Sequence, residues 1–458
     1  MTIKNNFPNK IEKERIKTLG KYEKLYENEQ EAILKLHDII KNQYKDYNET
    51  IYLAHAIPAK ISDFYGDFVS GRSTQLSIHL DSEDSDELNT FEEIVEDNDI
   101  REKISDYATD QSQYGFEVLL GMVEDKEFKI QEVEQDQYFP QSDGSVIFAT
   151  YYRDPESDDP LKERDFYLYT QHYRLEDEDV IIERKAWKCN EENVATEEVP
   201  LDYLGIEEEE EERIEGLGEL PIVQIDNGRR TRWGFGKSDY HDIMPQLAEI
   251  NERVTHISTQ LLKNLNAILE LQDNNTLVDE DNSLKPFDFV MLPDKDSVKT
   301  RYVTNENPLI EETFKHIDRQ ISMISWITGV PSFDISDRSQ PERVESLKIR
   351  MFSAVRKTET KRMKIEKGIK DIINIGFKML DMELDSTVRM EFTDVIPQDE
   401  LKATQVEEAK VTAGLSSRAS AMKRLDNLSK DEVDEEMERM RKEGIESGVL
   451  DPDRQTGL

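Results

Sequence analysis

The chain has 458 residues, of which only 36% are hydrophobic, so its length allows about two to four domains but its apolar content is thin for one compact core. Its 100 acidic and 59 basic residues leave a net charge of −41, which excludes broad non-specific adhesion to nucleic acid or anionic membrane and confines any DNA contact to local patches. The single cysteine, Cys189, excludes an internal disulfide and a cysteine-rich metal site; a reducing setting and a packing role follow.

No stretch approaches the roughly eighteen uninterrupted apolar residues of a membrane span, and the opening MTIKNNFPNK lacks the apolar core of a signal peptide. Residues 10–47 are highly charged, with Leu25, Ile33, Leu36, Ile39 and Ile40 spaced for a peripheral amphipathic helix. A second helix follows, with Pro58 in its first turn, an apolar face of Ile57, Ile61, Phe64, Tyr65 and Phe68, and Gly71 as its stop. After an acidic loop at 81–87, helices are predicted at 88–95 and 100–114, the latter with Asp99 as N-cap. The period then changes. Stretches 115–123, 127–133, 145–153, 165–175 and 179–187 are rich in Val, Ile, Phe and Tyr between Asp, Pro and Gly clusters, which predicts an antiparallel sheet. The acidic run 207–212 reads as a solvated loop or helix face. A last strand at 220–225 leads to Asn227, Gly228, Arg229 and Arg230.

Two heptad-patterned helices come next. Tyr240, Leu247, Val254, Leu261 and Ile268 recur every seven residues with Ile243, Ile250, Ile257 and Leu271 interleaved; Ile310, Ile317 and Ile324 alternate with Phe314 and Ile321 in the second. Helices at 238–271 and 308–326 would be on the order of 50 Å and 30 Å long, with Pro245 either kinking the first or marking its true start. Such narrow stripes need a partner. Ile243, Leu247, Ile250, Val254, Ile257, Leu261, Ile317, Ile321 and Ile324 are the candidate oligomer seam, and an intramolecular helical hairpin is the other reading. Strand candidates at 287–293 and 298–303 suggest a small β-containing knob between the helices. Beyond Pro331 and a polar loop at 336–340, Val344, Leu347, Met351, Val355, Ile365, Ile369, Ile372 and Leu380 outline another long helix. Helix returns after Pro397, breaks at 414–416, and restarts behind a capping box at Ser429–Glu432, with a frayed tail from Ile445.

The chain has no Walker A loop, His-Glu-x-x-His, Gly-x-Ser-x-Gly or Cys-x-x-Cys, so the corresponding nucleotide, zinc-protease, esterase and thiol-redox activities have no support. Gly234-Phe235-Gly236 is too short for a phosphate fingerprint and reads as a flexible joint before a helix. Residues 273–284 lack the central glycine and closing glutamate of a calcium loop, and His55, His241, His256 and His316 show no i,i+4 pairing. No catalytic residue, metal or cofactor is expected. One asymmetry stands out: Lys348, Arg350, Arg356, Lys357, Lys361, Arg362, Lys364 and Lys367 crowd one helix of an acidic chain, where salt bridging is the simple account; Arg229, Arg230 and Arg232 form a second cluster.

The order of these parts resembles the portal proteins of tailed bacteriophages, the ring-shaped head-to-tail connectors through which the genome passes. Residues 220–227, then 233–240 and the helix through Asn251, look like that family's strand, joint and first stem helix. Ile327-Thr-Gly-Val-Pro331 looks like the turn out of the stem; Glu345-Ser-Leu-Lys348 keeps the end of a Ser-Gly-x-Ala-Leu-Lys pattern without its glycine and alanine; Gly414-Leu-Ser416 with 431–443 is similar to the crown. The resemblance implies an α+β, mainly helical fold with portal architecture. Its parts would be N-terminal peripheral helices (1–48), wing (49–234), stem helix 1 (235–271), β-containing clip (272–307), stem helix 2 (308–330), tunnel loop (331–345), wing long helix (346–396), and crown with tail (397–458). It further implies a ring, usually of twelve subunits, in the virion at one capsid vertex. Double-stranded DNA would pass through it, with the terminase large subunit, a head-completion adaptor, and major capsid and scaffolding proteins as partners and no membrane. Arg338, Arg343, Lys348 and Arg350 would line the tunnel, and Lys285, Lys295, Lys299 and Arg301 would serve docking at the clip. The rival reading is a non-viral acidic coiled-coil scaffold or adaptor.

Overall fold

The computed structural model describes residue 3 and residues 6–29, 53–71, 76–153, 166–190, 193–232, 234–265, 268–272, 289–292, 301–303, 309–331, 344–392, 400–426, 433 and 436–442. Two compact units result: Met1–Ile335 with Met351–Thr393, and Ser336–Arg350 with Asp394–Leu458.

In the first unit, helix α1 (Lys10–Tyr26) opens with a capping box in which Asn9 accepts from the amides of Ile11 and Glu12 while the Glu12 carboxylate accepts from the Asn9 amide. Its spacing buries Leu19, Tyr22 and Leu25, so it is a core element rather than a surface-lying one; residues 30–52 of the expected longer helix lie outside the described residues. Helix α2 (Ile57–Ser70) has Pro58 in its first turn and ends at Gly71, φ +66°, as its sequence predicts. Strand β1 (Ser77–Leu80) precedes α3 (Ser85–Asp97), where Asp84 caps by accepting from the Asp86 amide. Helix α4 (Ile100–Tyr114) departs from expectation at its start: Asp99 has left-handed backbone and its side chain makes no cap bond, because the tight turn from α3 consumes its conformation.

At Gly115, φ +95°, the chain reverses into β2 (Phe116–Glu124), which pairs antiparallel with β3 (Glu127–Glu132). Strands β4 (Tyr138–Pro140), β5 (Val146–Arg153), β6 (Phe166–Glu176), β7 (Asp179–Cys189) and β8 (Ala195–Val199) form an antiparallel meander in that order. Buried Cys189 packs among Phe139, Ile147, Leu168 and Trp187, and desolvation pushes its thiol up to about 11. The acidic run is only partly a loop: β9 (Glu211–Ile214) pairs with β7, and Arg184 draws Glu208 (2.6 Å) and Glu212 (2.5 Å) onto the sheet. Strand β10 (Ile222–Asp226) joins the other edge of β2.

Helix α5 (Met244–Leu265) starts at Pro245's turn, so the proline marks the true start; the helix is also shorter than its heptads suggest. Ile268 and Leu271 belong instead to β11 (Ile268–Gln272), which pairs with β12 (Phe289–Leu292) and β13 (Arg301–Val303). Helix α6 (Leu309–Thr328) and helix α7 (Val344–Met379) follow, and β14 (Val388–Glu391) returns to β1. Two large apolar clusters hold this unit: one around α1, α2, β2, α5 and α6, the other around α3, α4, β3 and the later part of α7. The architecture is α+β. In the second unit, α8 (Glu400–Thr412) ends at Gly414, φ +71°, where the sequence places a break, and α9 (Arg418–Asp426) follows; Ser429–Glu432 lies outside the described residues.

Candidate functional site

Most of the two apolar stripes of α5 and α6 is filled from within one chain. Ile243, Leu247 and Ile250 are fully buried, Ile257, Ile317 and Ile324 nearly so, and Val254 and Ile321 pack against the same cluster. Heptad spacing therefore serves an intramolecular hairpin here, because two facing stripes in one chain meet without the entropy cost of association. What the hairpin leaves exposed is Leu261 at its far end and Phe314, Met323 and Trp326 on α6.

Charge closes the base of the hairpin. Asp239, just before α5, is buried and accepts from Ser112 Oγ (2.7 Å) and Asn227 Nδ2 (2.8 Å), with Lys357 Nζ at 2.8 Å and Lys361 Nζ at 3.5 Å. Lys357 Nζ also donates to the Thr328 carbonyl (3.0 Å), the last residue of α6, which accepts from Tyr65 Oη as well (2.6 Å). A single ammonium thus ties the start of one hairpin helix to the end of the other. Both lysines stand over the Tyr65 ring, at 4.7 and 5.1 Å. Burial alone would raise the Asp239 carboxyl, but the two ammoniums overcome it and hold it down at about 2. Burial lowers Lys361, 1% exposed, to about 8, against the pull of Asp239.

The joint between β10 and this knot is not loose. A Cβ on Gly236 would sit 2.0 Å from the Gly115 carbonyl oxygen, Phe235 packs 4.7 Å from Phe116, and the Arg15 guanidinium lies 4.9 Å from the Phe235 ring. The expected flexible joint is locked at Gly236, whose lack of a side chain permits backbone-to-backbone contact. Beside it opens a cleft of about 550 Å³ between residues 227–242, Ile327 and the 352–361 turns of α7.

The family model for "Phage portal protein, SPP1 Gp6-like" matches residues 6–448. The chain belongs to that portal family. A comparison with curated proteins gives no match. Among solved structures, a chain of the "Neck of empty GTA particle computed with C6 symmetry" is similar at 12% identity and a TM-score of 0.44, covering 82% of this chain and 91% of that one. A chain of the "Neck of native GTA particle computed with C12 symmetry" gives 11% identity, a TM-score of 0.43, and coverage of 80% and 90%.

In this portal-family chain, Lys348 and Arg350 fall on α7 and Arg301 on β13, while Arg338, Arg343, Lys285, Lys295 and Lys299 lie outside the described residues. Three of the described basic residues of α7 bind buried or half-buried groups of other elements. Lys357 and Lys361 enter the knot, and Arg362 donates to the Val69 and Phe68 carbonyls (3.0 Å each), neutralising the C-terminal end of α2. Asp239, Asn227 and Tyr65 were not singled out by sequence reasoning as partners of these lysines. A signal existed: Ala354, Thr358, Lys361, Ile365, Ile369 and Ile372 form one fully buried stripe, so a lysine at an apolar position demands an acid from elsewhere.

A second buried charge site lies at α4, β2 and β3. Glu117, 1% exposed, accepts from Gln135 Nε2 (2.6 Å); burial first, then Asp110 and Glu132, push it well above the carboxylate range. Asp110 is pushed up to about 7 by burial and by Glu132 and Asp106, and Glu132 pairs with Lys103 at 3.2 Å. The buried Tyr107 hydroxyl has no hydrogen-bond partner among the described residues. No group of acidic, histidine or cysteine side chains there has metal-binding geometry among the described residues. No helix among them is long and apolar enough to cross a membrane.

Proposed function

We propose that copies of this chain close into a ring, of twelve subunits in the virion, forming the channel at one capsid vertex through which double-stranded DNA is packaged, retained and ejected. The family match over residues 6–448 carries this reading, and a helical hairpin bearing a small sheet between its arms supports it. In it, α5 and α6 are the stem and β11–β13 the clip that docks the terminase large subunit and later a head-completion adaptor. The first unit's remaining helices and sheets are the wing, held by capsid and scaffolding proteins, and α8 and α9 belong to the crown. Arg338, Arg343, Lys348 and Arg350 reach the tunnel, and the chain itself does no chemistry. The acidity fits a conduit: twelve copies would carry about −490, which repels phosphates and limits the salt-dependent affinity that would brake sliding DNA.

Negative-stain and cryo-electron microscopy of the purified chain test this. Rings with a central hole wide enough for duplex DNA are expected. Rods, dimers or monomers under all salt conditions overturn it in favour of an acidic scaffold.

A further inference from the structure

The cleft beside the hairpin base carries a charge surplus that no side chain among the described residues offsets. Among its walls, Asp239 faces two ammoniums, Lys357 and Lys361, which leaves one positive charge over in a largely buried group. Lys237 and Asp242 cancel each other at 2.6 Å. Arg356, exposed on the same wall, has no side-chain partner among the described residues, so the cleft holds a net charge of +2 on a chain whose total is −41. A large apolar group stands in its wall: Phe352 is 65% exposed. An exposed phenylalanine and an arginine beside buried polar groups have the composition of an association hot spot.

We propose that this cleft receives an acidic segment of a second copy of this chain, with Arg356 pairing its carboxylate and Phe352 packing its stem. The inference rests on the ring reading and names the surface at the joint. Charge favours this occupant. Rings are built from heterologous contacts, in which one patch of a copy meets a different patch of the next. Copies at −41 repel, so each joint needs a place where local charge is reversed, and every copy brings acids in excess of 100 to 59. Duplex DNA fits less well. Its phosphates lie on a convex surface, whereas the cleft is a recess.

The test uses the full chain in two forms, Arg356→Glu and Arg356→Glu with Phe352→Ala, compared with the unaltered protein by native mass spectrometry and sedimentation across concentration and salt. The protomer concentration at half-assembly is expected to rise at least tenfold in the first and further in the second, while thermal melting of the dilute protomer stays unchanged because neither side chain supports the fold. A photo-crosslinking amino acid at 352 is expected to join two copies through an acidic peptide. Unchanged half-assembly in both variants, with no crosslink between copies, overturns the joint assignment and leaves the ring reading standing. Unchanged assembly with weakened binding of a DNA duplex overturns it in favour of nucleic acid. Failure of the unaltered chain to assemble at any concentration removes both readings.

Discussion

Two buried charge sites in the same unit are built on opposite rules. At the hairpin base, one carboxylate meets two ammoniums; at α4, β2 and β3, carboxylates meet one another. Opposite charge lets Asp239 stay ionised at low exposure, with its carboxyl held down at about 2, whereas Glu117 and Asp110 are driven toward their neutral forms. The first site locks geometry, and the second stores a proton. Both depend on groups far apart in sequence, from Tyr65 to Lys361 in one and from Lys103 to Gln135 in the other.

The sharpest way to break this contrast is Asp239→Asn, which strands two ammoniums in the interior. A loss of about 3–5 kcal/mol in urea unfolding is expected, and adding Lys361→Met should recover part of it. If the double variant is no better than the single one, the pair is not the knot's organising contact.

The second effect is read from pH. An unfolded lysine keeps its proton up to about 10.5, but folded Lys361 keeps it only to about 8, so the unfolded state binds more protons between those values and this group's contribution to stability rises with pH there. Calorimetry in that window should show Lys361→Met lacking a rise on the order of 3 kcal/mol relative to the unaltered chain. Asp239 has the opposite partnership: its contribution is present above about pH 4 and fades as pH falls toward 2.

The carboxylate site should behave in the reverse sense. Folded Asp110 holds its proton to about 7 while the unfolded group loses it near 3.8, so this term weakens the fold as pH climbs from 4 to 7. Asp110→Asn should flatten that decline, by on the order of 2 kcal/mol, in thermal melts at pH 5 and pH 7.5. A slope as steep as that of the unaltered chain would assign the decline to other groups. The smallest effect is expected where a charge simply caps a helix: Arg362→Ala should cost about 1 kcal/mol in the same denaturation assay, with no change in pH dependence.

Periodic elements were legible without the fold. The stretches 115–123, 127–133 and 179–187 became β2, β3 and β7 within two residues at either end, and 308–326 became α6, because alternation and heptad spacing follow from which face meets the core. The end of α5 was not legible. Ile268 and Leu271 continue the heptads, yet pairing with residues 289–292 and 301–303 draws them into a sheet, and such partners are distant in sequence. The glycines at 234 and 236 read as slack; only the presence of Gly115 against Gly236 makes the second of them a lock.

By itself, the sequence determined the class of elements, their order, the acidity of the surface and the absence of familiar catalytic motifs, since local pattern and composition act through neighbours a few residues away. Tertiary structure alone decided that the two stripes face each other, that Asp239 answers Lys357 and Lys361, and that Asp110 and Glu132 bear on the buried Glu117. Those outcomes turn on distances between residues far apart in the chain, and electrostatic energy at short range and low dielectric depends on such distances more steeply than on composition.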